Sequence, residues 1–148
     1  KPVHVFHSAE RRLQRKSKVA NTGPHALSGQ AELRDKGVAE GILLDRDDHV
    51  VCAVSANLFL VVDDRLLTPR LDLCGVRGVV RAHILANFSS RCEQRRITLD
   101  MLHEADEVFI CNTVKGIVPV TAIDEHEFNI GLITRELQDW LTQGSRQL

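Results

Sequence analysis

The stretch from Gly41 to Arg81 constrains the fold more than any other part of the chain. It contains three short apolar runs, Gly41–Leu44, His49–Val54 and Leu58–Val62, and aspartate-rich turns follow the first run (residues 45–48) and the third (residues 63–65). Runs this short, rich in Val, Leu and Phe and bounded by Asp, are typical of β-strands rather than helices. We therefore predict a meander of strands.

A helix start marked by glycine follows these strands. Thr68-Pro69 is interpreted as a stop, and Gly75-Val76-Arg77-Gly78 then leads into an apolar-periodic segment, Val79–Phe88. The first amide groups of a helix have no intrahelical acceptor, so a phosphate can reach them there. A strand layer that ends at such a helix start predicts an anion cradle.

The remaining elements complete one domain of mixed α and β structure. Pro119 is expected to confine its strand to an edge or an end of the sheet, because proline has no amide to donate. The basic run Glu10–Lys18 is expected to be a solvated loop or helix face. The chain shows no internal repeat, and the fold class is α+β, mostly antiparallel strands with outer helices. Further strands are predicted at Val3–Phe6, Arg96–Thr98, Val108–Cys111 and Gly116–Val120, and further helices at Ala26–Lys36, Leu99–Ala105 and Gly131–Leu141.

Composition argues against several classes of function. Nineteen Lys and Arg against twenty Asp and Glu give a net charge of −1, which argues against a nucleic-acid surface. No apolar stretch approaches the roughly 18 residues that a membrane helix needs. The four cysteines, Cys52, Cys74, Cys92 and Cys111, have no C-x-x-C spacing. We therefore expect reduced thiols in a cytoplasmic protein, with neither a disulfide framework nor a metal site.

Several segments, in the same order and spacing, resemble the fold-type IV pyridoxal-phosphate enzymes. They are Lys18-x-x-Asn21, GVAEGILLD, VSANLFLV, TPRLDLCGVRGVVR and ADEVFICNTVKGIVPV. This group contains branched-chain and D-amino-acid aminotransferases and 4-amino-4-deoxychorismate lyase. The residues of the segments SANLF, LDLCGVRGVVR and ADEVFICN look most like those of the lyase. The resemblance implies the C-terminal, cofactor-binding domain of a D-amino-acid aminotransferase-like fold.

The resemblance also implies a site for pyridoxal 5'-phosphate. Lys18 stands where the family's Schiff-base lysine stands, and such a lysine also moves the substrate proton, for which it needs a lowered pKa. Val79 and Val80 match positions whose backbone amides bind the cofactor phosphate. Thr113 matches a hydroxyl position near that phosphate. The other positions expected to bind the cofactor are Cys52, Asn57, Gly78 and Asn112.

Plainer interpretations of the same residues stay open. Lys18 is also compatible with one more surface lysine, and Asn112 and Thr113 with ordinary turn residues. Asn57 and Arg81 are expected to fix the loops around the cofactor, with a structural role as well supported as a chemical one.

Two departures from the family pattern bear on function. Cys52 occupies the place of a glutamate that pairs with the pyridine nitrogen, five residues before Asn57. A neutral thiol, with an ordinary pKa of about 8.5, does not hold that nitrogen protonated. Elimination tolerates a weaker electron sink better than transamination does, because a leaving group drains the carbanion. Secondly, the family's N-terminal domain is absent, so residues 1–148 are expected to be the cofactor-binding half of a longer protein.

The expected function is therefore a lyase that eliminates pyruvate from 4-amino-4-deoxychorismate to give 4-aminobenzoate for folate biosynthesis. Lys18 would be imine former, base and then acid. The alternatives are a fold-type IV branched-chain or D-amino-acid aminotransferase, and a truncated or degenerate relative without catalysis. A homodimer acting on a small-molecule substrate is expected in each enzymatic case.

Overall fold

The computed structural model describes residues 3–13, 40–45, 49–53, 56–70, 78–123 and 126–146. Within these ranges there are nine strands and three helices. The strands are β1 (Val3–Leu13), β2 (Glu40–Asp45), β3 (Val50–Ala53), β4 (Asn57–Val62), β5 (Arg65–Pro69), β6 (Cys92–Arg95), β7 (Glu107–Asn112), β8 (Gly116–Ile123) and β9 (His126–Glu127). The helices are α1 (Val79–Asn87), α2 (Leu99–Glu104) and α3 (Leu132–Arg146).

The strands form one sheet in the order β3-β2-β1-β8-β7-β4-β5-β6, with β9 paired to β8. Pairs β2–β3, β4–β5, β4–β7, β7–β8 and β8–β9 are antiparallel, whereas β1–β2, β1–β8 and β5–β6 are parallel. The predicted α+β class with mostly antiparallel strands is confirmed.

Alternation along the central strands sends side chains to two apolar clusters. In β4, Leu58 and Leu60 belong to one cluster, and Phe59 and Val61 belong to the other. Phe59 stacks on Phe109 of β7, with ring centroids 5.1 Å apart. Helix α2 packs on the first cluster, while α1 and α3 pack on the second. Helices α1 and α3 therefore lie on the same face of the sheet.

The strand β5 was not expected, although it ends at Pro69, where the sequence predicted a stop. Asp63 and Asp64 both have positive φ, 50° and 63°, which is the conformation of a tight hairpin turn. The chain therefore reverses into β5, where Thr68 is buried and donates from Oγ1 to the Leu58 carbonyl at 2.8 Å.

Three other expectations need correction. Pro119 lies inside β8, which runs between β7 and β1: it pairs with Phe109 of β7, and the pairing with β1 begins only at Val120. The missing proline amide thus falls where the strand passes from one neighbour to the other. The strand predicted at 96–98 lies instead at Cys92–Arg95. Part of the basic run, residues 10–13, belongs to β1 rather than to a loop or helix.

The helices predicted at Val79–Phe88, Leu99–Ala105 and Gly131–Leu141 are confirmed, whereas Ala26–Lys36 lies outside the described residues. The apolar face of α3 buries Leu137 completely, while Leu132 is 80% exposed. Among the described residues, no helix has the length and apolar character to cross a membrane.

Helix α3 begins on a carboxylate that comes from another element. Glu107, the first residue of β7, is buried, and its Oε1 accepts from the Thr134 amide at 2.8 Å and from the Thr134 hydroxyl at 2.7 Å. Its Oε2 accepts from the Ile133 amide at 3.3 Å. A Cβ added to Gly131 would overlap this carboxylate. Glutamate and glycine therefore build the helix start together.

Candidate functional site

The start of α1 has the features of an anion site. Gly78 precedes the helix in an extended conformation, with φ −83° and ψ 156°, and its carbonyl accepts the first helical bond from Ala82 at 3.1 Å. The amides of Val79 and Val80 belong to the turn that has no intrahelical acceptor. The first turn contains no acidic side chain. The positive end of the helix dipole is therefore not neutralised by its own sequence.

Asn57 holds the residue at which α1 begins. It is the first residue of β4, it is buried, and its Oδ1 accepts from the Gly78 amide at 3.1 Å. A Cβ added at position 78 would overlap this same oxygen. Glycine is required here by the close approach of a side chain rather than by an unusual φ.

The turn between β7 and β8 is held by a second asparagine. Asn112 Oδ1 accepts from the Val114 amide at 3.1 Å and from the Lys115 amide at 2.7 Å. Gly116 closes the turn with a φ of +71°, a conformation that favours glycine. Thr113 stands exposed at the start of this turn.

A groove of about 700 Å³ brings the helix start and this turn together. From α1 it is lined by Val79, Val80, His83 and Asn87; from the β7–β8 turn by Asn112, Thr113, Val114, Lys115 and Gly116; and from α3 by Trp140, Leu141, Thr142 and Gly144. The structure thus unites four of the predicted site residues, Val79, Val80, Asn112 and Thr113. Gly78 adjoins them through the chain, and Asn57 adjoins Gly78.

Cys52 does not line this groove. It lies in β3, it is 3% exposed, and it pairs directly with Leu43 of β2. The residues that flank its partner Leu43, Ile42 and Leu44, belong to the cluster under α2, whereas Leu43 and Cys52 do not, so Cys52 faces away from that cluster. Lys18 and Asn21 lie outside the described residues.

Arg81 connects α1 to the sheet, which is the kind of structural role that the sequence led us to expect. The side chain is 5% exposed, and Nη2 donates to the Pro69 carbonyl at 3.3 Å and to Gln94 Oε1 at 2.9 Å. The helix is therefore tied to both β5 and β6. The sequence signal for this burial is weak: Arg81 stands three residues before the buried Ile84, on the same side of the helix.

Three of the four cysteines lie in the part of the chain that the structure describes. Cys52, Cys92 and Cys111 form no disulfide, and Cys74 lies outside the described residues. Burial raises the pKa of the Cys111 thiol to about 12, although the nearby Arg81 charge opposes the shift. Partial burial also raises the pKa of Cys92. Within the described ranges, His, Cys, Asp and Glu form no cluster of three or more with the geometry to hold a metal ion.

Comparison with known proteins gives a consistent result. The family model described as amino-transferase class IV matches residues 5–123. The aminodeoxychorismate lyase of Vibrio harveyi is 38% identical over 116 residues, which cover 74% of this chain and 43% of that protein. The branched-chain-amino-acid aminotransferase-like protein 2 of Arabidopsis thaliana is also 38% identical, over 130 residues that cover 80% of this chain and 23% of that protein.

A solved structure extends this similarity to the fold. The crystal structure of 4-amino-4-deoxychorismate lyase from Pseudomonas aeruginosa superimposes with a TM-score of 0.86 at 37% identity. The match covers 95% of this chain and 55% of that one. The chain thus spans about half the length of the lyases to which it is similar.

Proposed function

Because the chain belongs to the class IV aminotransferase family, whose members are pyridoxal-phosphate-dependent enzymes, we propose that it is the cofactor-binding, C-terminal domain of a lyase. The lyase eliminates pyruvate from 4-amino-4-deoxychorismate and leaves 4-aminobenzoate, a precursor in folate biosynthesis. The observation that carries this proposal is the groove in which the α1 start faces Thr113.

The described residues fit the phosphate end of the cofactor. A phosphate is an anion with several acceptor oxygens, and the start of α1 offers two amides, a first turn without an acidic residue and a glycine with no side chain in the way. The Thr113 hydroxyl and the Val79 and Val80 amides line one groove. We assign the phosphate to these groups.

The ring end of the cofactor has a less usual partner. Bound pyridoxal 5'-phosphate supplies an electron-withdrawing ring that stabilises negative charge at the substrate carbon. Cys52 stands at the position where, by resemblance, the family has a glutamate for the ring nitrogen. A thiol there supplies no countercharge in its neutral form, so the chain's own residues strengthen this electron sink less than a carboxylate would.

We assign the proton transfers to Lys18, which lies outside the described residues. Its Nζ would hold the cofactor until the substrate amine displaces it. The freed Nζ would then remove the proton from the substrate carbon that bears the amine and return a proton to the departing enol of pyruvate. Formation of the aromatic product supplies much of the driving force. The protein therefore needs to orient one amine and to exclude competing proton donors.

The second candidate function is transamination by a fold-type IV enzyme on branched-chain or D-amino acids. The observation that favours it is the 38% identity to an aminotransferase-like protein, equal to the identity to the lyase. Cys52 weighs against it, because transamination leaves the electron pair with the ring and depends more strongly on a good electron sink. A degenerate relative that binds without catalysis is the third candidate, and Cys52 supports it as well.

We further propose that the chain acts as a homodimer in the cytoplasm. Val79 is 63% exposed and Val114 is 88% exposed, and both border the groove. Exposed aliphatic side chains beside a site are typical of a surface that another protein segment covers. Sedimentation of the chain at two concentrations tests this, since a sedimentation coefficient of the monomer throughout would contradict it.

The experiment that tests the proposed function starts with visible absorption. Pyridoxal 5'-phosphate is added, the spectrum is taken, and borohydride then fixes the cofactor on the lysine that holds it. Peptide mapping is expected to find the label on Lys18. The Lys18→Ala variant should lose both colour and label, while Lys16→Ala, a matched lysine two residues away, should keep them.

The reaction is then assigned by product. Formation of 4-aminobenzoate from aminodeoxychorismate supports the lyase, and transfer of an amino group from a branched-chain or D-amino acid to 2-oxoglutarate supports the second candidate. A chain labelled at Lys18 that does neither supports the non-catalytic relative. Labels scattered over surface lysines would overturn the cofactor site itself.

A further inference from the structure

Helices α1 and α3 begin in the same way. Each is preceded by a glycine, Gly78 or Gly131, at which an added Cβ would overlap a side chain from the sheet. In both cases that side chain belongs to the first residue of a strand, Asn57 of β4 or Glu107 of β7. A buried polar side chain thus fixes where each helix begins and at what angle it leaves the sheet.

The two helix starts differ in charge. The Glu107 carboxylate accepts from Ile133 and Thr134, and therefore both satisfies the first amides of α3 and neutralises its dipole. The Asn57 carboxamide is neutral, and its contact with Gly78 falls one residue before α1. The amides of Val79 and Val80 lie beyond this contact, and the positive end of α1 keeps its field.

We infer that Asn57 is a positioning residue for the cofactor phosphate rather than one of its ligands, which rests on the proposed function. Its Oδ1 holds the Gly78 amide, so that Val79 and Val80 direct their amides into the groove. Its lack of charge is as necessary as its hydrogen bond, because a carboxylate in its place would oppose a bound anion. Asn57 therefore determines the preference for a phosphorylated ligand.

The test compares pyridoxal 5'-phosphate with pyridoxal, which lacks the phosphate. Apparent dissociation constants for both ligands come from visible absorption titrations of the full chain. The constant for pyridoxal divided by the constant for pyridoxal 5'-phosphate measures how much the phosphate contributes to binding. Asn57→Ala should reduce that ratio about threefold to tenfold, the value of one lost hydrogen bond. Asn57→Asp keeps an acceptor for Gly78 but adds a charge, and should reduce the ratio by about tenfold or more, with a stronger dependence on salt.

Asn129→Asp is the matched control, because it adds the same charge at an exposed asparagine that does not line the groove. Asn129 lies before the start of α3, whereas α3 lines the groove only from Trp140 onward, eight residues or about 12 Å along the helix from Leu132, which is beyond the usual screening length. The phosphate ratio should change less than about twofold. Equal losses of pyridoxal and pyridoxal 5'-phosphate affinity in Asn57→Ala would overturn the inference, since the effect would then not concern the phosphate.

A second measurement needs no ligand. Gly78→Ala should lower the urea midpoint of the unloaded wild type, because the new Cβ meets Asn57, and should lower it much less in the Asn57→Ala background. Equal effects in both backgrounds would contradict the contact on which the inference depends. A wild type that binds both ligands equally would overturn the proposed phosphate site, and this role of Asn57 with it. If the wild type prefers pyridoxal 5'-phosphate but Gly78→Ala has the same effect in both backgrounds, only the positioning role of Asn57 is overturned.

Discussion

Replacement of Glu107 by Ala should strongly destabilise the fold. The change removes the acceptor of two α3 amides and of the Thr134 hydroxyl, all at a position that is 8% exposed. Loss of a helix cap costs about 0.5–2 kcal/mol, and loss of one hydrogen bond to a charged group costs about 1.5–3 kcal/mol. We therefore expect the free energy of unfolding to fall by about 3 kcal/mol. Glu107→Gln keeps one acceptor and loses the charge, and should cost about 1–2 kcal/mol.

Urea denaturation followed by circular dichroism measures these differences, with the m-value as a check that the transition remains comparable. Glu104→Ala is the control, because Glu104 is exposed at the end of α2 and should change stability by less than about 0.5 kcal/mol. Gly131→Ala should be destabilising in the wild type and tolerated in the Glu107→Ala background, where the overlapping carboxylate is gone. The reasoning fails if Glu107→Ala costs less than about 1 kcal/mol, or if Gly131→Ala costs the same in both backgrounds.

Three further predictions concern the face of the sheet on which α1 and α3 pack. Burial raises the pKa of the folded Cys111 thiol to about 12, well above the ordinary value, so the unfolded chain loses this proton first as pH rises. The free energy of unfolding should therefore fall by about 1.4 kcal/mol per pH unit between about pH 9 and pH 12 relative to Cys111→Val, and a parallel pH dependence in the two proteins would contradict the shift. Arg81→Met should cost about 1–3 kcal/mol in urea, whereas Arg91→Met, which removes an ion pair with 32% of the arginine side chain exposed, should cost less than about 1 kcal/mol. Phe109→Ala leaves a void beside Phe59 and should cost about 3–5 kcal/mol, and a loss below about 1 kcal/mol would mean that the two rings do not pack as described.

Local sequence signals predicted most elements of the fold. The meander was predictable because Asp turns interrupt the apolar runs, and α1 because glycine precedes an apolar period. Strand β5 was not predicted, because it has only five residues and runs directly from the turn at Asp63 and Asp64 to the stop at Pro69. The position of Pro119 was missed because a change of strand partner along β8 depends on sheet topology.

The site could be predicted only in part for the same physical reason. A helix start is encoded locally, and the start of α1 at Val79, directly after Gly78, was predicted from neighbouring residues. The side chain that fixes this start comes from 21 residues earlier in the chain, and nothing near Asn57 in sequence indicates that its partner is Gly78. The expectation that Asn57 binds the cofactor itself came from resemblance. Its contact with the Gly78 amide indicates instead that it positions the helix start.

Cys52→Glu tests how the chain departs from its family. The site is 3% exposed, so a carboxylate placed there without a partner should lower the free energy of unfolding by about 1–3 kcal/mol relative to Cys52→Gln, which has nearly the same shape. If position 52 faces the ring nitrogen, pyridoxal 5'-phosphate returns that loss, because a protonated nitrogen pairs with the carboxylate. The rise in unfolding temperature on adding the cofactor should then be larger for Cys52→Glu than for Cys52→Gln.

Equal rises in the two variants would mean that position 52 does not meet the ring, and the thiol would then carry no information about the reaction. An unequal rise makes the catalytic comparison meaningful. A carboxylate strengthens the electron sink, and transamination depends on that sink more than an elimination driven by aromatisation does. Cys52→Glu should therefore raise amino-group transfer more than it raises 4-aminobenzoate formation. The opposite order would remove the argument that the thiol favours a lyase.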